Sequence, residues 1–421
     1  MLDESEKDLK LWSRERTPML ATVLALALLL RILWAVYSPS GPGFDREQAD
    51  QGAGIALNML AGKGYTLDFG PGPPRASFRM PTIPLFFYGL WTLTGPSVLA
   101  AKLAMAAIST MNVLLVALLA FRFYGAHTAL TAALLAALFP NLIYWCGTLG
   151  PETFAMTALL LLTRLLAEDH ALLGGLATGA LVTIRPVFLP YFLLLCLWLA
   201  ATMKRGTRAA ALWRFCLPVI LILSAWGYRN WSVHHRLLLT STEGGICFYE
   251  SNNPLAFANG GVWQVDYLKT LPGTHELATR LGEPDFDRLL FKMGLRHILD
   301  DPAGYLRSFL WRVWYVWRPF PRTGANRSAH IWLHALVMAM TWVPIFLLAA
   351  WEMRRSRVWL DRRHGPILLA CFALTVCTGM VNGVMRYRAP LEPFFVIYAA
   401  AALSRKYGTI TIRSDESHRQ R

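Results

Sequence analysis

Charge is what this sequence is short of: only 16% of its 421 residues are Asp, Glu, Lys or Arg, against about 25% in an ordinary globular chain. A soluble domain of this length could not cover its surface with so few, and 55% hydrophobic side chains exclude disorder as well. Cysteine is scarce too. Of the six, Cys146, Cys196, Cys216, Cys371 and Cys377 lie in or beside apolar runs without paired spacing, so they describe no disulfide framework. No His or Cys cluster has metal-ligand spacing, since His234 and His235 are adjacent and point in different directions. Corresponding interrupted segments in two halves, the mark of many transporters, are missing. No small-residue cleavage site follows the first apolar stretch, which is therefore expected to remain as an anchor.

What is present is long apolar runs, near Met19 to Val36, Leu99 to Phe121 and Ile331 to Trp351, each near the roughly 20 residues that cross a bilayer. The pattern predicts an all-α integral membrane protein, one polytopic domain over 1–421. Membrane helices are expected near 19–37, 98–119, 126–145, 153–167, 171–184, 187–203, 214–228, 331–352, 366–382 and 389–404. That makes about ten crossings with both ends in the cytoplasm. The formal charge of +15 then falls into place. Lys204, Arg205, Arg208 and Arg214 crowd one short loop, Arg354, Arg355, Arg357, Arg362 and Arg363 another, and Arg405, Lys406 and Arg413 begin the tail. Basic short loops belong on the cytoplasmic side, so the positive charge reports orientation and leaves a nucleic-acid partner without motive.

Two long loops, 38–97 and 229–330, fall on the opposite, outer face and hold most of the Gly, Pro, Asn and Asp outside helices. Function is expected there. The first predicts a juxtamembrane helix over Ala49 to Leu60, a turn at Gly62 to Gly64, and an apolar Pro81 to Thr94 segment that dips into the membrane or lies at its surface, with spanning as the alternative. The second, the expected donor- and acceptor-binding region, ends in Tyr305 to Phe320, where Trp311, Trp314, Tyr315 and Trp317 alternate with Arg307, Arg312 and Arg318. Rings with basic residues suit the headgroup level, so an interfacial helix is expected.

Chemistry-bearing residues collect on that face. Asp45, Glu47 and Asp50 lie within six positions; a partly desolvated carboxylate facing a hydroxyl can act as general base, although acids also favour the start of any helix. The same acids are the one set that could hold a divalent ion; no other cofactor is called for. Lys63 and Tyr65 follow. Arg79 stands before Pro81 and Pro84 on a stiffened segment. Glu152 follows Gly150 and Pro151, Arg185 precedes Pro186, Arg229 and Asn230 open the second loop, Asn253 precedes Pro254, and Arg386, Tyr387 and Arg388 introduce the last helix. Ionisable groups at membrane depth mark functional sites by default. Guanidinium groups grip phosphate oxygens bidentately, so Arg79, Arg185, Arg229, Arg386 and Arg388 would together suit a phosphorylated lipid; anchoring to membrane lipid headgroups is the plain alternative for each.

The order of these elements resembles a family. An acid-bearing first outer loop runs into Ala56-Leu57-Asn58-Met59-Leu60-Ala61-Gly62-Lys63-Gly64-Tyr65. Then come Arg79-Met80-Pro81, Leu149-Gly150-Pro151-Glu152-Thr153, Ile184-Arg185-Pro186, Arg229-Asn230-Trp231, Asn252-Asn253-Pro254 and Arg386-Tyr387-Arg388-Ala389-Pro390. Over nearly the whole chain this is similar to the bacterial glycosyltransferases of the protein-mannosyltransferase and aminoarabinose-transferase superfamily (glycosyltransferase family 39-like), of GT-C fold. The resemblance implies transfer of a sugar from a polyprenyl-phosphate donor to a lipid, glycan or protein acceptor, with inversion, on the outer face of the cell inner membrane. It further implies an aspartate base in the first loop, Asp45 before Asp50 or Glu47, and basic residues holding the donor phosphate. In the family pattern Tyr stands four positions after that Asp; here the positions are Ala49 after Asp45 and Gly54 after Asp50. A lipid or solute transporter or flippase, or a non-catalytic partner in polysaccharide assembly, is the competing expectation.

Overall fold

The computed structural model describes residues 17–38, 51–68, 72–264, 267–320 and 329–418. Among them the structure is helical, apart from one isolated antiparallel bridge between Leu67 and Arg75. In chain order the helices are α1 (Thr17–Tyr37), α2 (Gln51–Leu60), α3 (Thr82–Thr94), α4 (Val98–Tyr124), α5 (Ala126–Leu138), α6 (Pro140–Cys146), α7 (Glu152–Ala167), α8 (Ala171–Ile184) and α9 (Leu189–Thr202). They continue with α10 (Arg205–His234), α11 (Gly244–Ser251), α12 (Pro254–Ala258), α13 (Thr274–Leu281), α14 (Glu283–Asp300), α15 (Pro302–Trp317), α16 (Ala329–Arg355), α17 (Gly365–Met380) and α18 (Glu392–His418).

All ten segments expected to cross are helical, but fewer have the length. Among the described residues five are long and apolar enough: α1, α4, α10, Leu336–Arg355 of α16, and Arg362–Met380, which contains α17. Helices α5 and α6 make a sixth if taken as one broken span. The 14 residues of α8 rise only about 21 Å, less than the roughly 30 Å hydrocarbon layer. The apolar segment after Pro81 becomes the 13-residue α3, again shorter than the hydrocarbon layer.

Two expectations need correction. The helix over 126–145 is two, meeting at 57° at Phe139–Pro140, because Pro140 has no N–H to donate and its ring clashes with the preceding turn. The buried Arg31 of α1 donates to the Ala136 and Ala137 carbonyls at that break, at 3.1 and 3.2 Å, and to Ser109 Oγ at 2.8 Å. Next, the helix expected at 214–228 runs over Arg205–His234. The basic residues Arg205, Arg208 and Arg214 are its first turns, and Arg229 and Asn230 its last. The Tyr305 to Phe320 segment forms helix α15 as far as Trp317, packed against α17: Trp317 Nε1 donates to Thr375 Oγ1 at 3.1 Å, and Gly379 lies against the Phe309 ring. Its inner face is Gly304, Ser308, Arg312 and Val316, so Arg312 faces protein, donating to Gly261 O at 2.9 Å and Asn252 Oδ1 at 3.0 Å.

Close approach sets the bundle. A Cβ on Gly175 would sit 2.1 Å from the Phe215 carbonyl oxygen, and one on Gly179 2.6 Å from Ile222; the four-residue spacing of these glycines lets α8 and α10 touch along their backbones. Gly125, at φ +85°, turns α4 back into α5. Leu193, Leu197, Ile220, Leu221, Met340 and Leu347 remain exposed on α9, α10 and α16, a surface suited to lipid. The two long loops pack on each other. Ile55, Leu67 and Phe78 from the first join Ile246, Tyr249, Leu268, Ala278, Phe286 and Leu290 from the second in a separate apolar core.

Candidate active site

Five separate stretches of chain meet at the end of the bundle that carries this second core. Pro186 disfavours helical backbone in the residue before it, so α8 stops at Arg185, which is extended at φ −147°. Arg386 and Tyr387 come from a 3-10 turn, Met385–Tyr387. Glu152 is the first residue of α7 and folds back over Gly150, where a Cβ would strike its carboxylate. Its Oε1 accepts from Arg386 Nε at 2.7 Å and from Arg185 Nη2. The Arg185 guanidinium lies over the Tyr387 ring, 4.8 Å from its centre. Beside them Arg79 pairs with Glu243, the residue before α11.

Three guanidinium groups thus face two carboxylates, leaving a local surplus of positive charge. Exposure grades outward: 1% for Glu152, 11% for Arg185, 20% for Glu243, 26% for Arg79 and 39% for Arg386, so the buried carboxylate backs a cationic front. Burial pushes the Tyr387 hydroxyl up, opposed by Arg185 and Arg386 and reinforced by Cys247 and Glu243. Burial also holds the Cys247 thiol well above its usual range, with Glu243 adding to the rise, so it is no thiolate nucleophile. Two buried atoms, Glu152 Oε2 and Arg185 Nη1, have no hydrogen-bond partner among the described residues. A buried acceptor and a buried donor on two ion-paired side chains are free to take a water or a ligand group.

The other sequence candidates separate into two groups. Arg229 stacks on Tyr65 and Trp226, at 4.9 and 5.1 Å, and its Nη1 donates to Ala76 O at 2.6 Å. Asn230 donates to Leu238 O at 2.9 Å, and the Tyr65 hydroxyl to Arg79 O at 2.9 Å. This layer supports the Arg79 segment without joining the arginine front. Burial, first of all, pushes the Tyr65 hydroxyl up, against Arg229 and Arg79, so it is a donor and not a base. Arg388 points elsewhere: 1% exposed, it donates to Glu392 Oε1 at 2.9 Å and to Arg318 O at 2.7 Å, with Trp342 4.1 Å from its guanidinium. Asn253 caps α12 through Ala256 N at 2.9 Å, and Lys63 is exposed. Asp45, Glu47 and Asp50 lie outside the described residues. Among the described residues no three His, Cys, Asp or Glu side chains come together to hold a metal.

Sequence reading overlooked Glu243. Its only signal is an acid directly before Gly244-Gly245, which reads as an ordinary helix start. Glu392, which takes Arg388 and Asn141, was likewise hidden among apolar neighbours.

The chain matches no protein-family model and no curated protein sequence. It is similar in fold to solved structures of an oligosaccharyltransferase from Archaeoglobus fulgidus. Against the apo form it has 16% identity and a TM-score of 0.54 over 96% of this chain and 52% of that one. Against the form tethered to an acceptor peptide the values are 13%, 0.53, 96% and 51%, and against the complex with Zn and sulfate 15%, 0.50, 94% and 50%. The chain therefore spans about half the length of these neighbours. At such identities the likeness establishes architecture: this is an all-α, multi-pass membrane protein of the GT-C fold.

Proposed function

We propose that the protein is a membrane glycosyltransferase that moves a sugar from a polyprenyl-phosphate donor to an acceptor, with inversion at the anomeric carbon. The observation that carries this reading is the convergence of Arg79, Arg185 and Arg386 around Glu152 and Glu243, with a guanidinium N–H of Arg185 and a carboxylate oxygen of Glu152 left without partners among the described residues. A phosphate oxygen complements the first and a hydroxyl the second. The GT-C architecture supports it, since the Archaeoglobus protein acts as an oligosaccharyltransferase.

In this reading the acceptor hydroxyl loses its proton to a first-loop carboxylate, Asp45 before Asp50 or Glu47, as its oxygen attacks the anomeric carbon. The C–O bond to the donor phosphate breaks and the electron pair leaves on phosphate. Charge grows on that leaving oxygen, where preorganised guanidinium groups stabilise it most; holding donor and acceptor together supplies much of the rest. The outer face of the inner membrane is the proposed location, with a lipid, glycan or protein as acceptor; the Archaeoglobus enzyme was solved with an acceptor peptide. Purified protein incubated with labelled polyprenyl-phosphate sugars should release polyprenyl phosphate, and Asp45→Ala should stop release while leaving the protein folded. Undiminished release by Asp45→Ala, Asp50→Ala and the double variant would exclude both aspartates, and undiminished release with Glu47→Ala added would remove carboxylate-base catalysis.

A further inference from the structure

Glu283 opens α14, where an acid followed by Pro284 looks like an ordinary favourable charge at a helix start. Its carboxylate instead leans out to two other segments. Oε2 accepts from Ala76 N at 2.7 Å, and Oε1 from Ser77 N at 3.0 Å and from the Thr242 hydroxyl. Thr242 N in turn donates to Ser77 O at 3.0 Å, and His234 Nε2 stands 3.6 Å from Oε2. Arg79 is two residues beyond Ser77, and Glu243 is the residue after Thr242. One carboxylate therefore grips the backbone amides just before Arg79 and the Thr242 hydroxyl just before Glu243.

Neither segment is regular structure. Residues 72–81 form no helix, and Thr242 stands in a turn, so nothing in a helical ladder fixes where Arg79 points. Charge-assisted bonds from a carboxylate to backbone N–H groups are the strong kind, and this one is 8% exposed. Its neighbours share the load: Arg229 holds Ala76 O at 2.6 Å, and the Ser77 hydroxyl bonds Asn230 Oδ1 at 2.7 Å. We propose that Glu283 is a positioning residue for the phosphate cradle, clasping the two loops so that Arg79 is presented to the donor phosphate. This rests on the glycosyltransferase reading above.

The test uses the full-length protein in nanodiscs with undecaprenyl phosphate as probe. Glu283→Ala should weaken binding by about tenfold or more, the loss expected for a charge-assisted hydrogen-bond set, and Glu283→Gln, which keeps one acceptor oxygen, by less. With a turned-over donor the loss should fall on KM and leave kcat within about threefold. If Glu283 acts through Arg79, adding Glu283→Gln to Arg79→Ala should change nothing further, whereas adding it to Arg386→Ala should give the sum of both effects. Thr242→Val, which removes one arm of the clasp, gives the same ordering should Glu283→Ala fail to fold. Parent protein that binds undecaprenyl phosphate alongside variants that bind it equally well would overturn the clasp and leave the function standing. Effects that add equally with Arg79→Ala and Arg386→Ala would also overturn it. Parent protein that does not bind the probe defeats the glycosyltransferase reading, and this one with it.

Discussion

Arg386 and Arg388 are two positions apart and end in different places. A 3-10 turn advances three residues per revolution, so neighbours two apart leave on different sides. One arginine reaches the half-open cluster at Glu152, the other the closed interior at Glu392. Substitution should separate them. Arg388→Ala strands Glu392 in a buried site, which costs about 3–5 kcal/mol, and should lower the thermal midpoint in detergent whatever happens to transfer. Arg386→Ala should leave that midpoint nearly unchanged and raise the apparent KM for donor. A reversed pattern would exchange the roles assigned to the two. The motif shows two arginines beside a proline; only the turn geometry tells which one is spent on structure.

At the scale of elements, irregularities carry the polar chemistry. The break at Phe139–Pro140 frees carbonyls inside the bundle, and Arg31 of α1 satisfies them. Arg31→Met should therefore destabilise the protein by about 1–3 kcal/mol for each carbonyl stranded, seen as a lower unfolding midpoint, and a midpoint equal to the parent's would count against that role. Helix α14 holds α11 through Asp287, whose Oδ1 accepts from Gly245 N at 2.6 Å. Burial pushes the Asp287 carboxyl up to about 7, against the Gly245 and Ile246 amides and Arg75, with Glu243 adding to the rise. The folded value lies above the ordinary 3.8, so the protonated form is favoured by folding. This contribution to stability is complete below about pH 3.8 and is lost as pH rises through about 7. Hydrogen exchange in α11 should accelerate over that interval, and Asp287→Asn should flatten the dependence. The alternation of aromatic and basic residues in α15 records residue types and cannot tell that Arg312 turns inward on the same face as Gly304 and Ser308.

At the scale of the molecule, two loops about 190 positions apart in the chain share one apolar core, and that core sits above the arginine cluster. The proposed orientation places it outside the cell. Thr270→Cys, at an exposed position, should react with a membrane-impermeant maleimide added to intact cells; labelling only after permeabilisation would reverse the topology. Helix existence was legible almost throughout, because a bilayer demands satisfied backbone and apolar length. Helix ends were less so. The tracts at 205–213 and 229–234 look like loop by charge, yet α10 includes both, since Lys and Arg are good helix formers and basic ends tolerate either state.

Composition and the order of polar islands by themselves determined that this chain is a helical membrane protein, and that its ionisable residues concentrate in and beside two long loops. Hydrophobic length and basic flanks are properties of short windows, which a sequence displays directly. Tertiary structure alone decided that Arg79, Arg185 and Arg386 stand together while Arg229 and Arg388 support other layers, and that Glu243 and Glu283 belong to the same assembly. Those outcomes depend on which way each guanidinium turns and what lies across from it. Contacts between residues more than a hundred positions apart leave no local trace.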